Sequence, residues 1–104
     1  MRAHEWIDRR SLALHDAVAA KLEAHPELLD VARANLRRWL RVNPAEALQE
    51  WARLLDATPL PALTALLRSA DEGATRLRQS SPFAGLLTPQ KRQAILHEYE
   101  SRHA

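Results

Sequence analysis

Apolar residues recur along this chain every three or four positions, the spacing of one face of an α-helix. Leu14, Val18 and Leu22 mark such a stripe and predict a helix from about Ser11, or from a point upstream, to Ala24. Trp6 and Ile7 either extend that stripe or pack as a separate turn, which would make residues 1–10 an N-terminal extension. Leu28, Leu29, Ala32, Leu36, Trp39 and Leu40 predict a second helix over about Pro26–Val42. Leu48, Trp51, Ala52 and Leu55 predict a third over Pro44–Ala57, and Leu63, Leu66 and Leu67 a short fourth over Pro61–Arg68. A fifth covers Ala70–Gln79 with Leu77 inward, and a sixth covers Pro89–Arg102 with Ile95, Leu96 and Tyr99. Trp39 and Trp51 are expected to be largely buried.

The polar positions between these stripes act as punctuation. Asn43-Pro44 and Thr88-Pro89 each set an N-cap residue before a proline at the first helical position. Asn43 to Glu46 and Ser69 to Glu72 have the spacing of a capping box. Leu60 lies between Pro59 and Pro61, which pushes it away from the α region and predicts a helix start at Pro61. Connections between the elements are short, so consecutive helices are expected to pack as neighbours.

Composition agrees with the pattern. Eighteen Leu and nineteen Ala stand against three Val, two Ile and four Thr, a balance that favours helix over strand. The expected fold is all-α, a compact bundle of five or six short helices forming a single helical domain over residues 1–104. Much of the 46% apolar content is Ala. Leu and the three Trp must therefore supply most of the buried area.

Charge narrows the function only slightly. Formal net charge is +2, from thirteen Arg and two Lys against thirteen acids, although the isoelectric point is near 9.7. The absence of cysteine excludes disulfides and thiol chemistry. No apolar run is long enough to cross a bilayer, and the start Arg2-Ala3-His4-Glu5-Trp6 lacks the apolar segment of a signal peptide, so a cytoplasmic protein is expected. His4, His15, His25, His97 and His103 show no metal-ligand spacing. No cofactor, metal or catalytic residue is expected.

Three constellations carry candidate chemistry. Arg33, Arg37 and Arg41 recur at i+4 on the second helix, with Arg38 beside them. Four guanidinium groups on one face suit an acidic protein partner or phosphates. A simply solvated face is the plain alternative, because acids at the helix start and cations after them match the helix dipole. Arginine-for-lysine bias of a GC-rich bacterial genome is a further plain source of these residues. The fourth and fifth helices, with Arg76 and Arg78, could form a helix-turn-helix. However, Asp71 and Glu72 would then face DNA phosphates at the start of the reading helix. Arg10–His15 and Arg92–His97 have the Arg-x4-His spacing of helical ribonucleases, a pattern common enough to arise by chance.

The segment from Ser80 to Leu87 is too long for a plain helix link and too apolar for a solvated loop. Phe83, Leu86 and Leu87 either plug the open end of the bundle or form an apolar hook for a partner protein. Arginines 33, 37, 38 and 41, together with these three residues, are the candidate partner-binding set.

Leu14 to Leu22, Trp51 and Arg76 to Ile95 resemble a class of small helical bacterial proteins associated with two-gene toxin–antitoxin-like modules. The resemblance covers roughly residues 11 to 100, and Leu77-Arg78-Gln79-Ser80-Ser81-Pro82-Phe83-Ala84-Gly85 is its most distinctive part. It implies no catalytic residue. It implies a non-enzymatic protein–protein interaction module, the antitoxin-like partner of a cognate toxin. The alternatives are a stand-alone protein, a small nucleic-acid-binding regulator and, less favoured, a ribonuclease-like helical enzyme.

Overall fold

The computed structural model describes the backbone of residues 3–103 and the side chains of 5–100. Helix α1 runs Ala3–Ala24, a 3-10 turn Pro26–Leu28 leads into α2 (Leu29–Leu40), and α3 (Glu46–Ala57), α4 (Leu60–Arg68), α5 (Glu72–Arg78) and α6 (Pro89–His103) follow. No strand occurs among the described residues, and the chain is an all-α bundle as its pattern predicts.

Helix α1 is the hub. It packs along α4 most extensively and also meets α5 and α6, while α2 pairs with α3. Consecutive packing thus holds for α2–α3 and α4–α5, but the dominant contact joins elements far apart in sequence. The core is built from Val18, Ala19 and Leu22 of α1, Leu36 of α2, Trp51 and Leu55 of α3, Leu63 and Leu67 of α4, and Leu77 of α5. Ala19 and Ala32, both fully buried, let neighbouring backbones approach closely.

Several boundaries differ from those the sequence predicts, each for a local reason. Residues 3–10 form the first turns of α1 and not a separate turn. Trp6 is half-buried there, edge-on to Tyr99 at 6.0 Å with the Arg10 guanidinium 4.8 Å from its ring centre, while Ile7 is exposed. Residues 1 and 2 lie outside the described backbone. Asn43 does not cap α3. The helix starts two residues later, with Ala45 in the cap position and its carbonyl accepting from Leu48 and Gln49. Gln49 Nε2 instead reaches back to the Pro44 carbonyl at 2.8 Å.

At α5 the cap is Asp71, whose carboxylate accepts from the Ala74 N–H at 2.7 Å, and Ser69 supports it by accepting from the Asp71 N–H. Helix α4 begins at Leu60, so Pro61 falls within the first turn, where its missing N–H would have had no partner. Thr88 caps α6 as expected, its hydroxyl accepting from the Lys91 N–H at 3.1 Å. Trp51 is fully buried but Trp39 is only half-buried.

Candidate functional site

Several arginines are structural braces. Arg68 of α4 bonds Asp16 and Glu23 of α1, each at 2.8 Å. Arg76 of α5 grips Glu50 of α3 through both terminal nitrogens at 3.1 Å. These hydrogen bonds hold the Glu23 and Glu50 carboxyls below the usual carboxylate range. Arg78 is 5% exposed and bonds the Ser69 carbonyl and the Thr75 hydroxyl, while burial lowers its affinity for its proton. The two cations that a helix-turn-helix reading needs are therefore already bonded to other groups of the protein, Arg76 at the surface and Arg78 in the interior.

The arginine face of α2 divides into three roles. Arg33 is a brace: it donates to Asp30 at 3.1 Å and to the Leu55 carbonyl at the end of α3 at 3.1 Å, with Asp56 at 4.0 Å. Arg38 is exposed but tethered, donating to Asn35 Oδ1 at 2.8 Å. Arg37 and Arg41 are exposed and make no hydrogen bond or ion pair among the described residues. A groove of about 220 Å³ between α2 and α3, floored by Leu36, Leu40 and Leu55, runs beside Arg33 and Arg37.

The 80–87 segment is a plug. Phe83 is 5% exposed and Leu86 2%, and both belong to the core, while Leu87 is half-buried. The Phe83 ring meets Trp51 edge-on at 5.5 Å and 90°, and lies 6.3 Å from the His15 ring. The exposed hook of Phe83, Leu86 and Leu87 is thus not the arrangement found, because the bundle's own open end takes the aromatic ring. Only Ala84 and Gly85 stand at the surface. Leu86 N–H closes a turn onto the Phe83 carbonyl, with Gly85 at φ 87°, the positive value that the third position of a type II turn requires. A Cβ on Gly85 would meet open space, so glycine is favoured there by backbone conformation alone.

Asn35 joins the two features. It is buried, and its side-chain nitrogen donates to the Pro82 and Ala84 carbonyls at 2.9 Å each, while its oxygen accepts from Arg38. Arg38 of the arginine face and the backbone of the 80–87 segment are therefore linked through one buried side chain. Nothing in the α2 pattern marks Asn35 as this bridge, since its partners lie 47 and 49 residues away.

His15 is the second residue that sequence reasoning undervalues. It is 8% exposed, and its Nδ1 lies 2.7 Å from the Ser11 carbonyl and its Nε2 2.7 Å from the Ser81 hydroxyl. Burial pushes its pKa below the ordinary histidine value, which the Ser11 hydrogen bond partly offsets and the charge of Arg78 reinforces. Neither Arg-x4-His pair forms a site: Arg10 sits over Trp6, and Arg92 and His97 lie exposed on α6. Instead, His15 and Arg92 line one cavity.

A pH dependence follows. A histidine held neutral in the folded state takes up its proton more readily when unfolded. Stability is then complete above about pH 6.5 and falls as the pH drops below that value. The carboxyls of Glu23, Glu50 and Asp71, all depressed, add their own loss only below about pH 4.5. The melting temperature is expected to fall between pH 7.5 and pH 5. A flat profile over that range would contradict the placement of His15.

Among the described residues, no cluster of His, Asp or Glu could hold a metal ion, and no helix is long and apolar enough to cross a membrane. No protein family, curated protein or solved structure matches this chain.

Proposed function

We propose that this chain is a protein–protein interaction module that binds an acidic partner protein through the exposed face of α2. In its most specific form, the reading makes the chain the antitoxin-like member of a bacterial two-gene pair, acting in the cytoplasm. The observation that carries it is the contrast among the arginines. Arg33, Arg68, Arg76 and Arg78 are bonded within the protein, whereas Arg37 and Arg41 are unpaired among the described residues, and Arg37 lies beside an apolar groove. Arg38 adds a third exposed cation, held in a fixed direction by Asn35. A guanidinium group next to the half-buried Leu40 suits a carboxylate flanking an apolar anchor, the usual composition of an interface centre and its rim.

Nucleic acid is the second reading, and the structure favours it less. Arg76 and Arg78 are spent on Glu50 and on backbone groups, and net charge is only +2. Affinity capture from nuclease-treated cell extract separates the two. A protein retained after nuclease treatment and released by raised salt is expected. Recovery of nucleic acid alone, with a steep salt dependence, would replace this reading with the second.

A further inference from the structure

The cavity between α1, the 80–87 segment and α6 holds a chemical arrangement that the interaction reading does not use. The Ser11 carbonyl can only accept a hydrogen bond, so the 2.7 Å contact places the His15 proton on Nδ1. Nε2 then presents a lone pair, and the Ser81 hydroxyl, 2.7 Å away, donates to it. The Phe83 backbone N–H donates to the same Ser81 oxygen at 3.3 Å, aimed where negative charge would develop on losing the proton. Nucleophile, base and orienting group thus stand in series, the geometry shared by activated serine sites on unrelated folds.

The pair opens on a cavity of about 220 Å³. Leu14, Val18, Phe83 and Leu87 make its apolar wall, and Arg92 brings its one fixed charge, a cation. Ala84 and Gly85 line it as well, and their backbone N–H groups donate to no group among the described residues. Ser81 is half-buried at this opening.

We propose that Ser81 is a nucleophile, with His15 as its base, that accepts the acyl group of small apolar carboxylic esters entering this cavity. Ser81 Oγ bonds to the ester carbonyl carbon as its proton passes to His15 Nε2, and the carbonyl π pair becomes an oxyanion. Collapse of that adduct breaks the bond to the alcohol oxygen, which leaves with the proton from Nε2. Water repeats the sequence on the acyl-serine, giving its proton to Nε2 and releasing the carboxylic acid as the proton returns to Ser81. Arg92 and the unengaged amides are the groups on the cavity wall that attract the oxyanion.

Among the described residues no carboxylate stabilises the imidazolium. Arg78 from α5 repels it, and Arg92 from α6 shares the cavity. Proton transfer is therefore uphill, and the site favours activated esters and phosphonylating reagents over amides.

The test is covalent labelling of the full chain with a fluorophosphonate probe, read by intact mass and peptide mapping, together with p-nitrophenyl acetate hydrolysis. The expected result is one adduct, on Ser81, formed at least tenfold faster in the folded chain than in urea. Its rate should fall at acid pH, once His15, whose burial holds its pKa below the ordinary histidine value, takes up a proton. Ser81→Ala should remove both the adduct and the esterase burst. No adduct on Ser81 in the wild-type chain would overturn the proposal, and so would equal labelling of Ser81 in the folded and unfolded chain. Both readouts are independent of partner binding.

Discussion

Phe83→Ala is expected to destabilise the isolated protein by about 3–5 kcal/mol, the cost of emptying an enclosed aromatic site. In a domain of this size that lowers the melting temperature by more than about 12 °C. The ring is 5% exposed, lies edge-on to Trp51 and closes the bundle end between α1 and α3. Its neighbours are anchored by Asn35 and by His15, so the segment cannot collapse freely into the space left behind. Thermal melts by circular dichroism read the effect directly. A loss below about 1 kcal/mol would show that the segment is a surface loop and that Phe83 is free to serve as a contact for another protein.

Trp51→Ala is expected to cost still more. Trp51 is fully buried, and its indole N–H donates to the Leu77 carbonyl at 2.8 Å, the C-terminal end of α5. Truncation removes about 3–5 kcal/mol of packing, and the lost hydrogen bond adds about 0.5–1.5 kcal/mol, since the Leu77 carbonyl keeps its bond from the Ser80 N–H. That sum is comparable with the roughly 5–15 kcal/mol that stabilises a domain of this size. The variant is therefore expected to lose its cooperative unfolding transition at 37 °C in chemical-denaturation experiments. Because the two rings touch, the double variant should cost less than the sum of the single ones, by about 0.5–1.5 kcal/mol. Strict additivity would contradict the edge-to-face contact.

The helices were legible because their signals are local. Leu14, Val18 and Leu22, or Trp51 and Leu55, announce a buried face through spacing alone, and all but Leu14 lie in the core. The cap of α6 at Thr88 was equally plain. The caps at Asn43 and Ser69 differ because each helix starts two residues further on, with Ala45 in the cap position at α3 and the Asp71 carboxylate taking the Ala74 N–H at α5.

The site was hidden for a different reason. Asn35 and Ser81 find their partners across 47 and 66 residues, and no periodicity encodes which polar side chain will meet which carbonyl or ring. The arginine stripe was visible, but its division into a brace at Arg33 and unpaired cations at Arg37 and Arg41 depends on where α3 ends. Phe83 and Leu86 were recognisable as a plug or a hook, and only the open end of the bundle decides between the two.

The division among the arginines also sets the most direct test of the proposed function. Arg37→Gln and Arg41→Gln together remove two unpaired cations and no internal bond, so the melting temperature is expected to stay within about 2 °C of wild type. Arg33→Gln, by contrast, breaks the link to the Leu55 carbonyl and is expected to lower stability. The decisive measurement is a titration of the Arg37→Gln/Arg41→Gln protein against the partner captured by the wild-type chain, at fixed ionic strength. The account predicts at least a tenfold weaker Kd with the fold unchanged. Wild-type affinity in that variant would contradict it and leave the α2 face as solvated surface.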